Sequence, residues 1–115
     1  MKSKSWTKEF PGAIIVCDAD GLILEMNDQA IRSFQDEGGA ELLGSNLLDC
    51  HPEPARSKLK ELMNKQQINV YTIEKNKIRK LIYQTPWYRN GKYSGFMEMS
   101  IVIPESVPHF NRDLT

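Results

Sequence analysis

No stretch of this chain approaches the roughly 20 consecutive apolar residues that a bilayer-crossing helix needs, so nothing in it reads as a membrane span. Met1-Lys-Ser-Lys-Ser-Trp6 lacks the apolar centre of a secretory leader, and a cytoplasmic location is the expectation. An excess of one charge is missing too. The 115 residues hold 15 Lys plus Arg against 15 Asp plus Glu, which removes any global pull toward nucleic acid or an acidic membrane. Cysteine is scarce, and the two present, Cys17 and Cys50, stand in unrelated settings that read as free thiols rather than a disulfide. There is no internal repeat and no low-complexity segment. Catalytic patterns are equally thin: no Ser sits beside a His, no Cys-x-x-Cys occurs, and no glycine-rich loop opens a helix. Gly38-Gly39 ends a helix instead of starting one, and Asp18 and Asp20 are turn formers rather than an acid and base pair. An enzyme is therefore not expected, and the length suits one domain with one core.

What is present begins at Ala13. Ile14 to Cys17 and Leu22 to Met26 are short apolar, β-favouring runs, and Asp18-Ala-Asp-Gly21 between them is turn chemistry. Asn27 follows as a helix cap. From Asn27 to Asp36, Ala30, Ile31 and Phe34 recur three or four apart, predicting a helix of about three turns closed by Gly38-Gly39. Residues 40–44 and 45–49 add brief helical turns. Pro52-Glu-Pro-Ala starts a longer helix, with Pro52 at its first position, Glu53 favouring the dipole, and Ala55, Leu59, Leu62 and Met63 as its buried stripe. The period then changes to two. Ile68 to Glu74, Lys77 to Trp87 and Lys92 to Ile103 are three β-rich runs, separated by Lys75-Asn76 and by the hairpin signal Arg89-Asn90-Gly91.

Two strands, several helices and three strands make an α+β chain: a five-stranded antiparallel sheet with several short helices and one longer helix on one face. Together with Asp18-Ala-Asp-Gly21 and the cap at Asn27, this order resembles a PAS domain over residues 10–104. Residues 1–9 form a flanking segment and residues 105–115 a tail, since Pro104 and Pro108 end the last strand. The resemblance implies a sensory or signal-relaying role and names no ligand.

Alternation alone points the more apolar set of the last strands, Leu81, Tyr83, Thr85 and Trp87 with Met97, Met99 and Ile101, at the helices, and the family resemblance implies the reverse. Aligning Asp18 and Pro86 with the PAS pattern implies that Ile15, Cys17, Ile82, Gln84, Phe96, Glu98 and Ser100 face inward. A ligand pocket between sheet and helices would then be lined by Cys17, Phe34, Leu47, Leu59, Leu62, Met63, Tyr71, Ile73, Ile82, Gln84, Phe96, Glu98 and Ser100, with the polar members holding a small polar ligand. Pairing of those members with one another or with buried water is the alternative. The outward set, Ile14, Val16, Leu81, Tyr83, Trp87, Met97 and Met99, makes an apolar patch that needs a cover. Within the chain only residues 2–10, with Trp6 and Phe10, are at hand, so a homodimer is expected, passing its output to a signalling protein partner.

Cofactor expectations also follow from the resemblance. His51, in Asp49-Cys50-His51-Pro52, stands near where haem-binding PAS domains place an axial histidine, although those histidines usually lie within the helix. A capping or solvent-facing role is its alternative. Gly44-Ser-Asn-Leu-Leu48 matches the flavin-photoreceptor pattern at Gly44 and Asn46, but Leu47 occupies the reactive cysteine position and Leu48 that of the arginine. A photoreactive flavin is therefore not expected, and the two readings that stay open are a small-ligand sensor and a ligand-free interaction module with a filled core.

Overall fold

The computed structural model describes residues 5–113; Met1–Lys4 of the flanking segment and Leu114–Thr115 of the tail lie outside the described residues. Five strands form one antiparallel sheet in the order β2-β1-β5-β4-β3, with β1 Ala13–Asp18, β2 Ile23–Met26, β3 Asn69–Lys75, β4 Ile78–Arg89 and β5 Lys92–Ile103. Helix α1, Asp28–Ser33, and helix α2, Ala55–Lys65, lie on one face, with 3₁₀ turns at Gln35–Glu37, Gly39–Leu42 and Leu47–Cys50 between them. The core is the layer between. Ile15, Cys17 and Phe96 of the sheet meet Ala30, Leu47, Leu59, Leu62 and Met63 from above. Cross-strand pairing puts Ile82 opposite Ser100 and Gln84 opposite Glu98 on that same face. No helix among the described residues is long and apolar enough to cross a membrane.

The turns follow their chemistry. The Asp18 carboxylate accepts from the amides of Asp20 and Leu22, each at 2.9 Å, and closes the β1–β2 turn. Asn90 and Gly91 take positive φ at 53° and 80°, the geometry of a two-residue hairpin. The β3–β4 turn sits one residue later than the sequence suggested. Such a turn needs positive φ at both central residues, and Asn76 at 55° with Lys77 at 67° supply it, leaving Lys75 to pair with Ile78.

Two helix boundaries also differ. Helix α1 spans six residues rather than three turns, because the Phe34 carbonyl accepts from the amides of Glu37 and Gly39 and the chain tightens into a 3₁₀ turn. Helix α2 begins at Ala55 rather than Pro52. A residue preceding proline is disfavoured in the α region, which holds Glu53 out of the helix. Glu53 serves as a side-chain cap instead, its carboxylate accepting from the Ser57 amide at 3.1 Å. Ala55, expected in the buried stripe, is exposed in the first turn.

Two devices join the layers. The Asn27 side chain, only 3% exposed, accepts from the amides of Ile14 at 2.9 Å and Ala30 at 3.0 Å, and donates to the carbonyls of Thr7 at 2.9 Å and Gly12 at 2.8 Å. It thereby ties the N-terminal segment, β1 and α1 together with every amide valence used. Across the sheet, the Trp87 indole donates to the Cys17 carbonyl at 2.9 Å. Gly95 lies between them at φ 158°, where a Cβ would strike the Cys17 carbonyl and the Trp87 ring nitrogen.

Replacing Asn27 by alanine strands the amides of Ile14 and Ala30 and the Gly12 carbonyl, while the Thr7 carbonyl keeps the Phe10 amide at 3.3 Å, and is expected to cost about 3–5 kcal/mol. Urea denaturation should show a lowered midpoint with an unchanged slope. A loss under about 1 kcal/mol would mean that water substitutes for the amide.

Candidate functional site

Beneath α2 the sheet carries a chain of polar side chains, one of them buried and two half-buried. Gln84, from the middle of β4, is buried; its side-chain carbonyl accepts from the Asn69 amide group at 2.9 Å and its own amide group donates to the Glu98 carboxylate at 2.8 Å. Glu98 as an acceptor fixes which way the Gln84 amide points, and Gln84 then fixes Asn69. A cavity of about 130 Å³ adjoins this chain of side chains, bounded by His51, Ala55, Lys58, Leu59, Leu62, Asn69, Tyr71 and Gln84. Burial, and secondarily the Glu98 charge, raises the Tyr71 phenol above its ordinary value, so the ring stays neutral beside the cavity. One nitrogen of His51, Nδ1, lies 3.0 Å from the Leu47 carbonyl, which orients the ring.

The residues read as pocket-lining therefore divide. Leu59, Leu62, Tyr71 and Gln84 border the cavity and Glu98 stands behind Gln84. Cys17, Leu47, Met63 and Phe96 are buried in the core, and Phe34 packs against it half-buried. Ile82 is buried on the inner face and Ser100 half-buried opposite it. Ile73 is 45% exposed and lies with Lys75, Asn76, Ile78 and Lys80 near the β3–β4 turn. Lys58 and Asn69 join the cavity without having been expected; Asn69 is the cross-strand partner of Gln84, a pairing that follows once the β3–β4 turn is placed correctly.

A haem does not fit here. The space is well below the roughly 300–1,000 Å³ of sites that hold organic ligands, and Leu59, Leu62 and Gln84 close it. The flavin-like segment is also accounted for structurally. Asn46 accepts from the Leu48 amide and donates to the Asp20 carbonyl, bracing one loop against another, while Leu47 is core. Among the described residues no group of three His, Cys, Asp or Glu side chains is placed to hold a metal ion.

The opposite face of the sheet is apolar and thinly covered. Val16, Leu81, Trp87, Met97, Met99 and Ile101 are half-buried there, and Tyr83 is 39% exposed. Ile14, paired with Met99, is buried, and Phe10 lies at the corner formed by Gly12 and Ile101. Trp6 stands edge-on to Phe10 and is 72% exposed.

A sequence model of the family described as the PAS fold matches residues 7–86. The chain belongs to the PAS family. Its members are sensory and signalling modules, and the five-stranded α+β fold agrees with solved PAS structures. The PAS domain of Bordetella pertussis BvgS is 19% identical with a TM-score of 0.65, over 86% of this chain and 82% of that one. The PAS domain of the histidine kinase ThkA is 21% identical with a TM-score of 0.60, over 78% and 97%. The Aer2 receptor of Vibrio cholerae, a dual PAS-heme oxygen sensor, is 15% identical with a TM-score of 0.62, over 81% and 95%. These likenesses are of fold. No curated protein matches the chain in sequence.

The two thiols of this PAS domain are free and differ in setting. Burial pushes Cys17 from 9.0 up to about 11, while the half-buried Cys50 is raised by burial and then by Asp49 and Glu37. A thiol reagent in mildly alkaline buffer should modify Cys50 in the native protein and Cys17 only on unfolding. Because the folded state favours the neutral Cys17 thiol, its contribution to stability is complete below pH 9.0 and is lost as pH rises toward about 11. The stability gap between wild type and Cys17→Ala should narrow over that window; a constant gap would contradict the assignment.

Proposed function

We propose that this PAS domain is a signalling module that works through protein contacts, pairing with a second copy across the outer face of its sheet and passing its state to a signalling partner. The observation that carries this reading is the outer face itself. Val16, Leu81, Tyr83, Met97, Met99 and Ile101 form an apolar surface from three adjacent strands, half-buried apart from the more exposed Tyr83, with Phe10 at its Gly12–Ile101 corner. An isolated soluble domain rarely leaves such a patch in water, and a second copy packed against it would bury it. Its role in this reading is that of a relay and not a catalyst. A cytoplasmic setting suits its two free thiols.

The polar lining of the small cavity favours a second reading, in which a ligand much smaller than haem binds beside Gln84 and Tyr71 and biases α2. The Asn69–Gln84–Glu98 hydrogen bonds already satisfy these groups, so a filled core is the better supported state. The oxygen-sensing haem of the Aer2 receptor is not carried over to this chain, whose inner layer is closed.

Size-exclusion chromatography with light scattering tests the pairing. Wild type should run as a dimer, and Met99→Glu and Tyr83→Glu as folded monomers, since each places a charge at the centre of the apolar face. A monomeric wild type, or a Met99→Glu protein that remains a dimer with an unchanged circular dichroism spectrum, would overturn it.

A further inference from the structure

β3 is an edge strand whose outer side has nothing beside it. The two-residue turn at Asn76 and Lys77 makes Lys75 and Ile78 a hydrogen-bonded pair, and the register runs without a bulge from there to Asn69 opposite Gln84. Alternation then turns the main-chain groups of Tyr71 and Ile73 toward β4 and those of Val70, Thr72 and Glu74 outward. Among the described residues no loop or side chain takes up these outward amides and carbonyls. Sheets ordinarily blunt such an edge with proline, a bulge or a central charge, and Val70-Tyr-Thr-Ile73 carries none of the three. We propose that β3 is a self-association edge, pairing antiparallel with β3 of a second copy so that two sheets become one. It is a different surface from the outer face of the sheet and stands on separate observations.

What fits β3 is β3 itself. With Thr72 on the two-fold axis, all seven residues of one strand oppose all seven of the other, and the outward amides and carbonyls of Val70, Thr72 and Glu74 all find partners. Centring the axis one residue either way leaves an end unpaired, and centring it on Glu74 sets two carboxylates against each other. The Thr72 register instead opposes Thr72 with Thr72, Tyr71 with Ile73, Val70 with Glu74 and Asn69 with Lys75. Threonine pairs and aromatic–β-branched pairs are favourable cross-strand neighbours, and no like charges meet. Exposure agrees. Tyr71 and Ile73 on one face and Val70 on the other are 43%, 45% and 47% exposed, and pairing withdraws apolar surface from water on both faces at once. One strand against one strand is a small joint, so its Kd is on the order of 10⁻⁴ M and dilute chromatography does not report it. Where copies are also paired across their outer faces, each carries two separate two-fold surfaces, and the β3 edges join dimers into larger assemblies as concentration rises.

Sedimentation equilibrium of the full chain carrying Met99→Glu, from about 10 µM to about 1 mM, tests the edge with face pairing removed. The average mass should climb from one chain toward two. Adding Thr72→Lys sets like charges across the axis at an exposed position and should weaken association at least about tenfold. Register is read by cross-linking in a Cys50→Ser background, where the remaining native thiol, Cys17, is buried. Thr72→Cys, facing itself across about 5.5 Å, should oxidise to a disulfide-linked dimer at least about tenfold faster than Val70→Cys, which faces Glu74. A mass of one chain throughout, undiminished association with Thr72→Lys, or equal cross-linking at Val70 would overturn the proposal. An edge that accepts only a strand from an unrelated protein gives the first of these results. Should Met99→Glu misfold, wild type serves in its place, and its mass should keep rising beyond the dilute value as the edges join. Light scattering of dilute wild type reports on the face pairing separately, so either reading can fail alone.

Discussion

The structure depends on one buried amide. Asn27 stands where the edge strand β2 ends and α1 begins, and its side chain holds four backbone groups from three segments at once. Three of those groups would otherwise be stranded in a dry layer, whereas the Thr7 carbonyl also accepts from the Phe10 amide. A cap on α1 alone would have required one acceptor. Here the same residue also fixes where the chain enters the sheet, because Gly12 and Ile14 flank the first residue of β1. The short helix, too brief to be stable by itself, exists because this network and the core beneath Ala30 hold it.

From that corner the sheet is locked toward its centre. Trp87 on β4 reaches across β5 to the Cys17 carbonyl on β1, and the close approach is possible only over a residue without a side chain, Gly95. The inner face so created is well filled with apolar side chains, and its polar members are tied to one another. Open space lies at the periphery: a small cavity on one flank of α2, a larger recess on the other, wider clefts of about 610 Å³ between the N-terminal segment, β2 and α1 and of about 590 Å³ at the β3–β4 turn end of the sheet, and the apolar face turned away from both helices. A signalling domain of this form has its possibilities for contact at its surface rather than in a large internal chamber.

Most of the architecture was legible in the sequence, because it is written in local chemistry. Asp18-Ala-Asp-Gly21, Asn27 and Asn90-Gly91 each prescribe a backbone geometry that few other residues allow. The boundary errors came from competition between signals: Pro54 overrode the helix-starting tendency of Pro52, and the demand for two positive φ values moved the β3–β4 turn onto Lys77. The site was harder to read. Alternation assigns residues to faces but does not say how closely a roof fits, so residues such as Phe96 and Leu47, nominated for a pocket, prove to be the filling.

The roof of helices is shorter than the sheet it covers. Toward the β3–β4 turn, Ile73 and Ile78 are wet on the inner face and Val70 on the outer, while β3 is hydrogen-bonded along one side only. Cooperativity is therefore unevenly distributed along the strands. Amide exchange should be slowest around Cys17 and Phe96 and should quicken progressively toward Asn76, so that this hairpin opens as its own unit while the Asn27 corner stays shut.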